Sequence, residues 1–404
     1  MPLPTAPAPT TPARHHDGSR PRAALLMAGS CLPVLGAVLI APVLPRMQDH
    51  FSSVPGAKTL VPVVLTVPAL ALALLAPFAG VIVDRLGRKR LLVVATALYA
   101  VFGTAPLWLD SLGAIVASRV LVGIVEAAIM TCCTTLIGDY YTGRVRDRYL
   151  ALQTMCASAS ATAFFALGGA LGSAGWRAPF WIYAVGLLLA PAMAAALPKP
   201  APDAAKTQLA EDKQPFPLRR LAGICALTVF GAMVFYTVPV EMAYLMDDLG
   251  VTSTGFIGLA TALASAATVA GSIAFTKLPG GPEGRLPLVF ALCGAGFVVM
   301  ALSGSPALLV VGGVLNCLGT GVLLPSLLTT AMAKLDYADR GRGTGLWTAA
   351  FFAGEFICPL VLIGAETAVG SLAAAVGLLG LASALVAVGL LLKARRVTVA
   401  EENA

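Results

Sequence analysis

The chain of 404 residues is 58% hydrophobic and only 12% charged, with a net charge of +7 and a mean hydropathy of +0.86. A soluble domain carries about 25% charged residues, so half the usual charge is missing and soluble enzyme folds are excluded. Apolar runs long enough to cross a bilayer, about 20 residues each, recur along the whole length and predict an all-α integral membrane protein.

Residues 1–22 are rich in Pro, Ala and Thr and carry Arg14, His15, His16, Arg20 and Arg22; they read as a disordered tail rather than a signal peptide. The first span covers roughly 23–45 without an ionisable group, and Arg46, Asp49 and His50 mark its far end. The second, about 60–83, leads into a cluster containing Gly80, Asp84, Arg85, Gly87, Arg88, Lys89 and Arg90. So much charge cannot lie in hydrocarbon, which predicts a short turn at a membrane surface. The third span, about 91–109, ends at Asp110, and the fourth, roughly 112–138, holds Arg119 and Glu126. A charged loop from Asp139 to Arg148 precedes the fifth span, about 149–173, whose small residues Gly168, Gly169 and Gly172 permit close helix contact. The sixth occupies about 178–197.

Residues 198–218 break the pattern with prolines and mixed charges and read as a flexible linker. Six further spans follow, at about 219–246, 252–277, 286–304, 307–333, 342–367 and 370–393. A weak repeat at an offset of 195 aligns Thr134 and Thr135 with Thr329 and Thr330. The expected organisation is therefore a tail (1–22), a six-helix bundle (23–197), a linker (198–218), a second six-helix bundle (219–393) and a C-terminal tail (394–404). The two bundles are pseudo-symmetric and place a site at their interface.

Of the 27 lysines and arginines, 23 fall in alternate segments: the N-terminal tail, the loops after the even-numbered spans, and the C-terminal tail. That is the positive-inside pattern of a multi-pass protein of the plasma (inner) membrane with both termini cytoplasmic. The basicity thus reports topology and gives no reason to invoke nucleic acid. All eight cysteines lie in apolar segments without C-x-x-C spacing and read as small buried hydrophobes, so neither metal nor cofactor is expected. No phosphate-binding loop is present for primary pumping.

The spacing G-x-x-x-D-R-x-G-R-K from Gly80 to Lys89 resembles the signature loop between the second and third helices of the major facilitator superfamily of secondary transporters. The resemblance covers about 23–393. It implies that Asp84 and Arg85, with Gly80, Gly87 and Arg88 around them, latch the cytoplasmic ends of the two halves in the outward-facing state. The equivalent stretch of the second half, Lys277 to Arg285, is degenerate. Arg119 with Gly123 and Ala127 resembles the family's R-x-x-x-G-x-x-x-A segment, which implies proton-coupled transport.

Read from the residues alone, an intramembrane Arg needs an acid, a carbonyl or a water-filled cavity. Glu126 lies two turns on, about 10 Å along the axis, so it shares a face with Arg119 without having to touch it. Glu355 and Glu241 are two more acids in apolar sequence, each beside a proline and aromatics. Burial in general favours the neutral form of a carboxyl group, as a proton carrier needs. Gln153, Thr154 and Asn316 are polar candidates for substrate contact; Tyr236, Trp347, Phe351 and Phe352 are the aromatic ones.

Two features depart from proton-driven drug exporters of the family. Phe164 and Phe165 replace the G-P pair on the fifth span, and the first span carries no acid. The expectation is a proton-coupled exporter of a small amphipathic compound, working as a monomer in the lipid bilayer. The alternatives are an uptake symporter for an organic anion, with Arg119 as counter-charge, and a non-transporting scaffold. A scaffold has no reason to keep ionisable groups in its core.

Overall fold

The computed structural model describes residues 19–198, 216, 218–279, 281–336 and 339–402. The predicted N-terminal tail and the linker lie largely outside these, whereas most of the predicted C-terminal tail is described and continues the last helix to Glu402. Among the described residues there is no strand, and twelve helical spans are long and apolar enough to cross a membrane. They are α1 (Arg20–His50), α2 (Ala57–Leu75), α3 (Arg88–Leu107), α4 (Leu112–Tyr140), α5 (Gly143–Gly172), α6 (Ala178–Ala196), α7 (Leu218–Asp248), α8 (Thr254–Lys277), α9 (Pro282–Ala301), α10 (Pro306–Ala333), α11 (Arg340–Val369) and α12 (Leu372–Arg395).

Two of the predicted elements differ in detail. The first span is not one helix. It is α-helical over Ser19–Val38, turns at 39–40, forms a 3-10 segment over Ala41–Val43, and resumes as Leu44–His50. Pro42 and Pro45 have no N–H to give to the carbonyls four residues before them, so the regular ladder cannot run through. The second span stops at Leu75 rather than 83, and a separate helix, Ala79–Leu86, follows Pro77. The expected surface turn is therefore a short helix, then Gly87 at φ 82°, then α3 beginning directly at Arg88. Only glycine takes that backbone conformation without strain. At Gly80 no close approach requires glycine, because a Cβ there would meet open space.

In the first half α4 packs on α1, α2 and α3, with α5 on α1 and α6 on α3. The second half repeats this: α10 packs on α7, α8 and α9, with α11 on α7 and α12 on α9. Corresponding glycines make corresponding contacts. Gly123 of α4 faces the backbone of Pro68 on α2, and Gly321 of α10 faces Thr268 and Gly271 on α8. Lipid offers no hydrophobic drive for helix association, so such backbone approach supplies the packing.

The halves meet along two seams, α5 with α8 and α2 with α11, which are the same pairing under the internal repeat. On the α5–α8 seam a Cβ on Gly169 would lie 2.7 Å from the Gly258 Cα. The seams are tight at the end that carries Arg46. There Arg46 donates to the Gly172 and Thr252 carbonyls (2.9 and 3.2 Å), and Lys58 pairs with Glu366 at 2.8 Å. At the opposite end, where the basic loops lie, α5 stands apart. All its buried residues fall between Phe165 and Gly172, and Met155 is 64% exposed. The α5–α8 seam is thus closed at the Arg46 end and parted at the basic end, whereas α11 still approaches α2 there, with Gly345 against the backbone of Ala76 and Pro77.

Candidate functional site

The break in α1 creates the middle of the site. The last carbonyls of an α-helix have no intrahelical donor, and this helix ends at Val38 in the interior of the protein. Irregular backbone at such depth survives only where protein or a cavity satisfies it. Here side chains from two other helices do so, and a third bonds a carbonyl one turn earlier. Arg119 Nη2 of α4 donates to the Gly36 carbonyl at 3.2 Å. Tyr236 of α7 donates its hydroxyl to the Ala37 carbonyl at 2.6 Å, a bond between the two halves. Tyr99 of α3 donates to Leu32 at 2.8 Å.

Arg119 is wholly buried. It also donates to the Tyr183 hydroxyl at 2.7 Å, and its guanidinium lies 4.9 Å from that ring's centroid. Tyr183 comes from the 3-10 segment Ala178–Ala184 that opens α6, and it fits because Gly103 of α3 leaves its ring room. Tyr99 completes the enclosure, its ring 5.1 Å from that of Tyr183. Nε and Nη1 of Arg119 have no hydrogen-bond partner among the described residues. Neither Tyr99 nor Tyr183 nor Gly36 stands out in the sequence, which does not show which helix each one faces.

Glu126 is buried on the same face of α4, and its carboxylate rests against the Cα of Gly36. It forms no ion pair with Arg119, and its Oε1 has no hydrogen-bond partner among the described residues. Glu355, buried on α11 in the other half, lies near enough for its charge to act on Glu126 and on Tyr236. Among the described residues no side chain donates a hydrogen bond to it. The structure therefore gathers Arg119, Glu126, Glu355 and Tyr236 around the broken helix. Glu241 is buried as well but lies farther toward the Arg46 end, where its charged neighbour is Glu366.

The remaining candidates separate. Trp347 and Phe351 of α11 stack with centroids 5.7 Å apart and planes 8° from parallel. Phe235 of α7 and Phe352 extend this ladder. The Trp347 Nε1 donor is buried without a hydrogen-bond partner among the described residues. Gln153 donates to Ser30 and Thr134 hydroxyls (2.9 and 3.0 Å), while Thr154 is exposed and bonds its own helix. Asn316 does not line a cavity: it is fully buried between α9 and α10 and donates to the Cys293 carbonyl at 3.4 Å. Tyr236 is likewise only 2% exposed, a bridge rather than an open wall.

At the basic end Arg88 holds Asp84 at 2.6 Å and also pairs with Asp139 at the end of α4. These contacts lie within the first half. Arg85 is exposed.

A family model described as the Major Facilitator Superfamily matches residues 26–286. The tetracycline resistance protein, class C, of Escherichia coli is 31% identical over 159 residues, covering 38% of this chain and 39% of that protein. The multidrug efflux pump LfrA of Mycolicibacterium smegmatis is 32% identical over 155 residues, covering 37% and 30%. Multidrug resistance protein 1 of Bacillus subtilis is 29% identical over 172 residues, covering 41% and 42%. The chain thus spans less than half the length of these curated relatives. Among solved structures, an inward-facing, occupied bacterial homologue of the human lysosomal transporter Spinster superposes with a TM-score of 0.71 at 16% identity, covering 93% of this chain and 96% of that one. The human organic anion transporter MFSD10 superposes with a TM-score of 0.66 at 17% identity, covering 92% and 99%. At such identities these likenesses speak for the fold alone.

Proposed function

The chain belongs to the Major Facilitator Superfamily, and we propose that within it this protein is a proton-coupled exporter that exchanges protons for a small amphipathic compound. The observation that carries the reading is the pair Glu126 and Glu355: two buried acids, one from each half, near enough for their charges to act on each other, with Glu126 Oε1 lacking a hydrogen-bond partner among the described residues, at a place that must rearrange when the halves rock. A buried carboxylate without donors is costly as an anion, so each conformational change that wets or dries the seam changes its hold on a proton. Arg119 stays beside them as a fixed positive charge. Alternating access then amounts to rocking of 23–197 against 219–393 about this midplane. The 32% identity over 155 residues to a protein named as a multidrug efflux pump supports the direction.

In this reading the basic end faces the cytoplasm, both termini lie there, and the protein sits as a monomer in the plasma (inner) membrane. The structure would then be the inward-facing state. Asp84 and Arg85 would latch the basic end when it closes, and Gln153, Thr154, Trp347 and Phe351 would line the cargo's path. The organic-anion symporter is not favoured, since the Arg119 it needs as counter-charge is sealed between Tyr183 and the Gly36 carbonyl.

Inside-out vesicles with an imposed proton gradient test the proposal. Substrate-induced proton movement opposite to substrate is expected for the wild type, and its loss for Glu126→Gln. Movement of both in the same direction would favour symport, and proton flux indifferent to every solute would refute both.

A further inference from the structure

We propose that Cys31 of α1 and Cys156 of α5 form a two-thiolate site for a soft, closed-shell metal ion that binds two ligands in line, as Hg2+ does. The site lies nearer the basic end than the acids at the α1 break, and it does not depend on the direction or coupling of transport. Five of the eight cysteines are buried, as their apolar surroundings predict, but Cys31, Cys156 and Cys225 are half-buried. Packing brings the first two together. Leu39 of α1 faces Gly168 of α5, and Val43 faces Gly172, so the two helices run parallel with a shift of 129 positions. The same shift sets Cys31 opposite Ser160, with Cys156 one turn earlier on α5. Gln153, a further turn back, donates to the Ser30 hydroxyl across this contact at 2.9 Å. The Ser160 hydroxyl and the Cys156 thiol are accordingly the polar groups that act on the Cys31 sulfur. Cys133 of α4 stands behind them, against Gly29 and Ser30. Cys225 lies on α7, in the other half.

Thiolate sulfur is a soft ligand and selects soft ions. Coordination number decides among them. Among the described residues no group of three or more His, Cys, Asp or Glu is arranged to hold a metal ion, which excludes the tetrahedral set that Zn2+ takes. Two thiolates do satisfy an ion that needs two ligands in line. Loading replaces two S–H bonds with two S–metal bonds and releases two protons to solvent. With Hg2+ the product is neutral, so no net charge is left where desolvation would make it costly. The parted basic end of the α5–α8 seam gives the ion a way in, since Met155 beside Cys156 is 64% exposed. The bridge would also fasten a loosely packed stretch. All buried residues of α5 fall between Phe165 and Gly172, and Gln153 is what bonds its basic half to α1 and α4. A metal link one turn from Gln153 holds that half to α1.

The test uses the purified full-length protein in detergent and Hg2+, with a monothiol in excess so that single cysteines give the ion up while a chelating pair keeps it. After desalting, the wild type is expected to hold one Hg2+ per chain and to melt at a higher temperature than without the ion. Cys31→Ala and Cys156→Ala should each lower retention at least about tenfold, the loss that even an outer-shell partner causes, and should remove the rise in melting temperature. Cys225→Ala should change neither, and Zn2+ should not be retained. Digestion of the loaded wild type without reductant should yield a mercury-bridged peptide pair containing Cys31 and Cys156, a readout that needs no variant to fold. A wild type that keeps no Hg2+, retention unchanged in either alanine variant of the pair, retention lost in Cys225→Ala, Zn2+ held as tightly as Hg2+, or a bridged pair made of other cysteines would each overturn the proposal.

Discussion

Gly36 occupies a position where every neighbour constrains it. Its carbonyl accepts from Arg119, and its Cα touches the Glu126 carboxylate, so a methyl group added there would occupy the space of Glu126 Oε1. The backbone cannot retreat without lengthening the Arg119 bond. Gly36→Ala is therefore expected to lower stability by about 1–3 kcal/mol, the usual cost of overpacking, and to abolish transport; thermal unfolding in detergent measures the first and vesicle flux the second. Tyr183→Phe makes a subtler cut. It keeps the ring under the guanidinium but removes the hydroxyl acceptor, leaving a buried charge short of a partner at a cost of about 1.5–3 kcal/mol. A melting temperature equal to the wild type's would show that Arg119 does not depend on that hydroxyl. Arg119 and Glu126 were legible in the sequence because a charge inside an apolar run has few bland explanations. Gly36, Tyr99 and Tyr183 were not, since what singles them out is which helix they face. One signal was available: Pro42 withholds its N–H from the Val38 carbonyl, which marks a helix end one turn after Gly36.

At the scale of elements, hydropathy located all twelve spans but could not see interruptions within them. The α1 break follows from two prolines whose effect depends on having buried donors nearby. The α2–α3 connection shows the same limit. Its basic residues lie in the first turn of α3, where the helix dipole disfavours positive charge, and Arg88 is offset there by Asp84 and by Asp139 from another helix. Only the fold brings Asp139 to that place. The closed Arg46 end is also a product of elements meeting. The Lys58–Glu366 pair is partly exposed, and such pairs are worth about 0.2–1 kcal/mol, so it biases the seam without locking it. In a cysteine-free background with a Thr254→Cys reporter, buried beneath this end, Lys58→Glu should raise the labelling rate up to about fivefold. Restoring the pair in reverse, with Glu366→Lys, should return it to baseline. Gly169→Val should open the same end further, because its side chain meets Gly258 backbone rather than flexible atoms. A labelling rate in Gly169→Val no higher than in Lys58→Glu would mean that the glycine contact does not hold the seam.

Under the proposed alternating access the two ends take turns, so what holds one shut opposes what holds the other. The Arg46 end is closed by Arg46, Lys58–Glu366, the glycine contact of α5 with α8 and, deeper, Tyr236 on the Ala37 carbonyl. At the basic end Asp84 is tied, among the described residues, within its own half through Arg88. The second half is near, since Gly345 at the start of α11 sits against the backbone of Ala76 and Pro77 just before the Asp84 helix. Closure of this end would carry α11 toward Asp84 and Arg85, and their charge would then act between halves instead of within one. Removing it by Asp84→Asn subtracts from the basic-closed state alone, so the population should shift toward the structure described here. The Thr254→Cys reporter should then label more slowly, by a factor of up to about five for an interaction of about 1 kcal/mol. A reporter at Thr154, on the exposed basic part of α5, should label faster. Unchanged labelling at Thr254 would refute the latch. Slower labelling at both positions would mean that the loss of Asp84 had disturbed the first half itself by freeing Arg88. The two reporters together thus separate a gate from a structural ion pair, which charge spacing in the loop could never do.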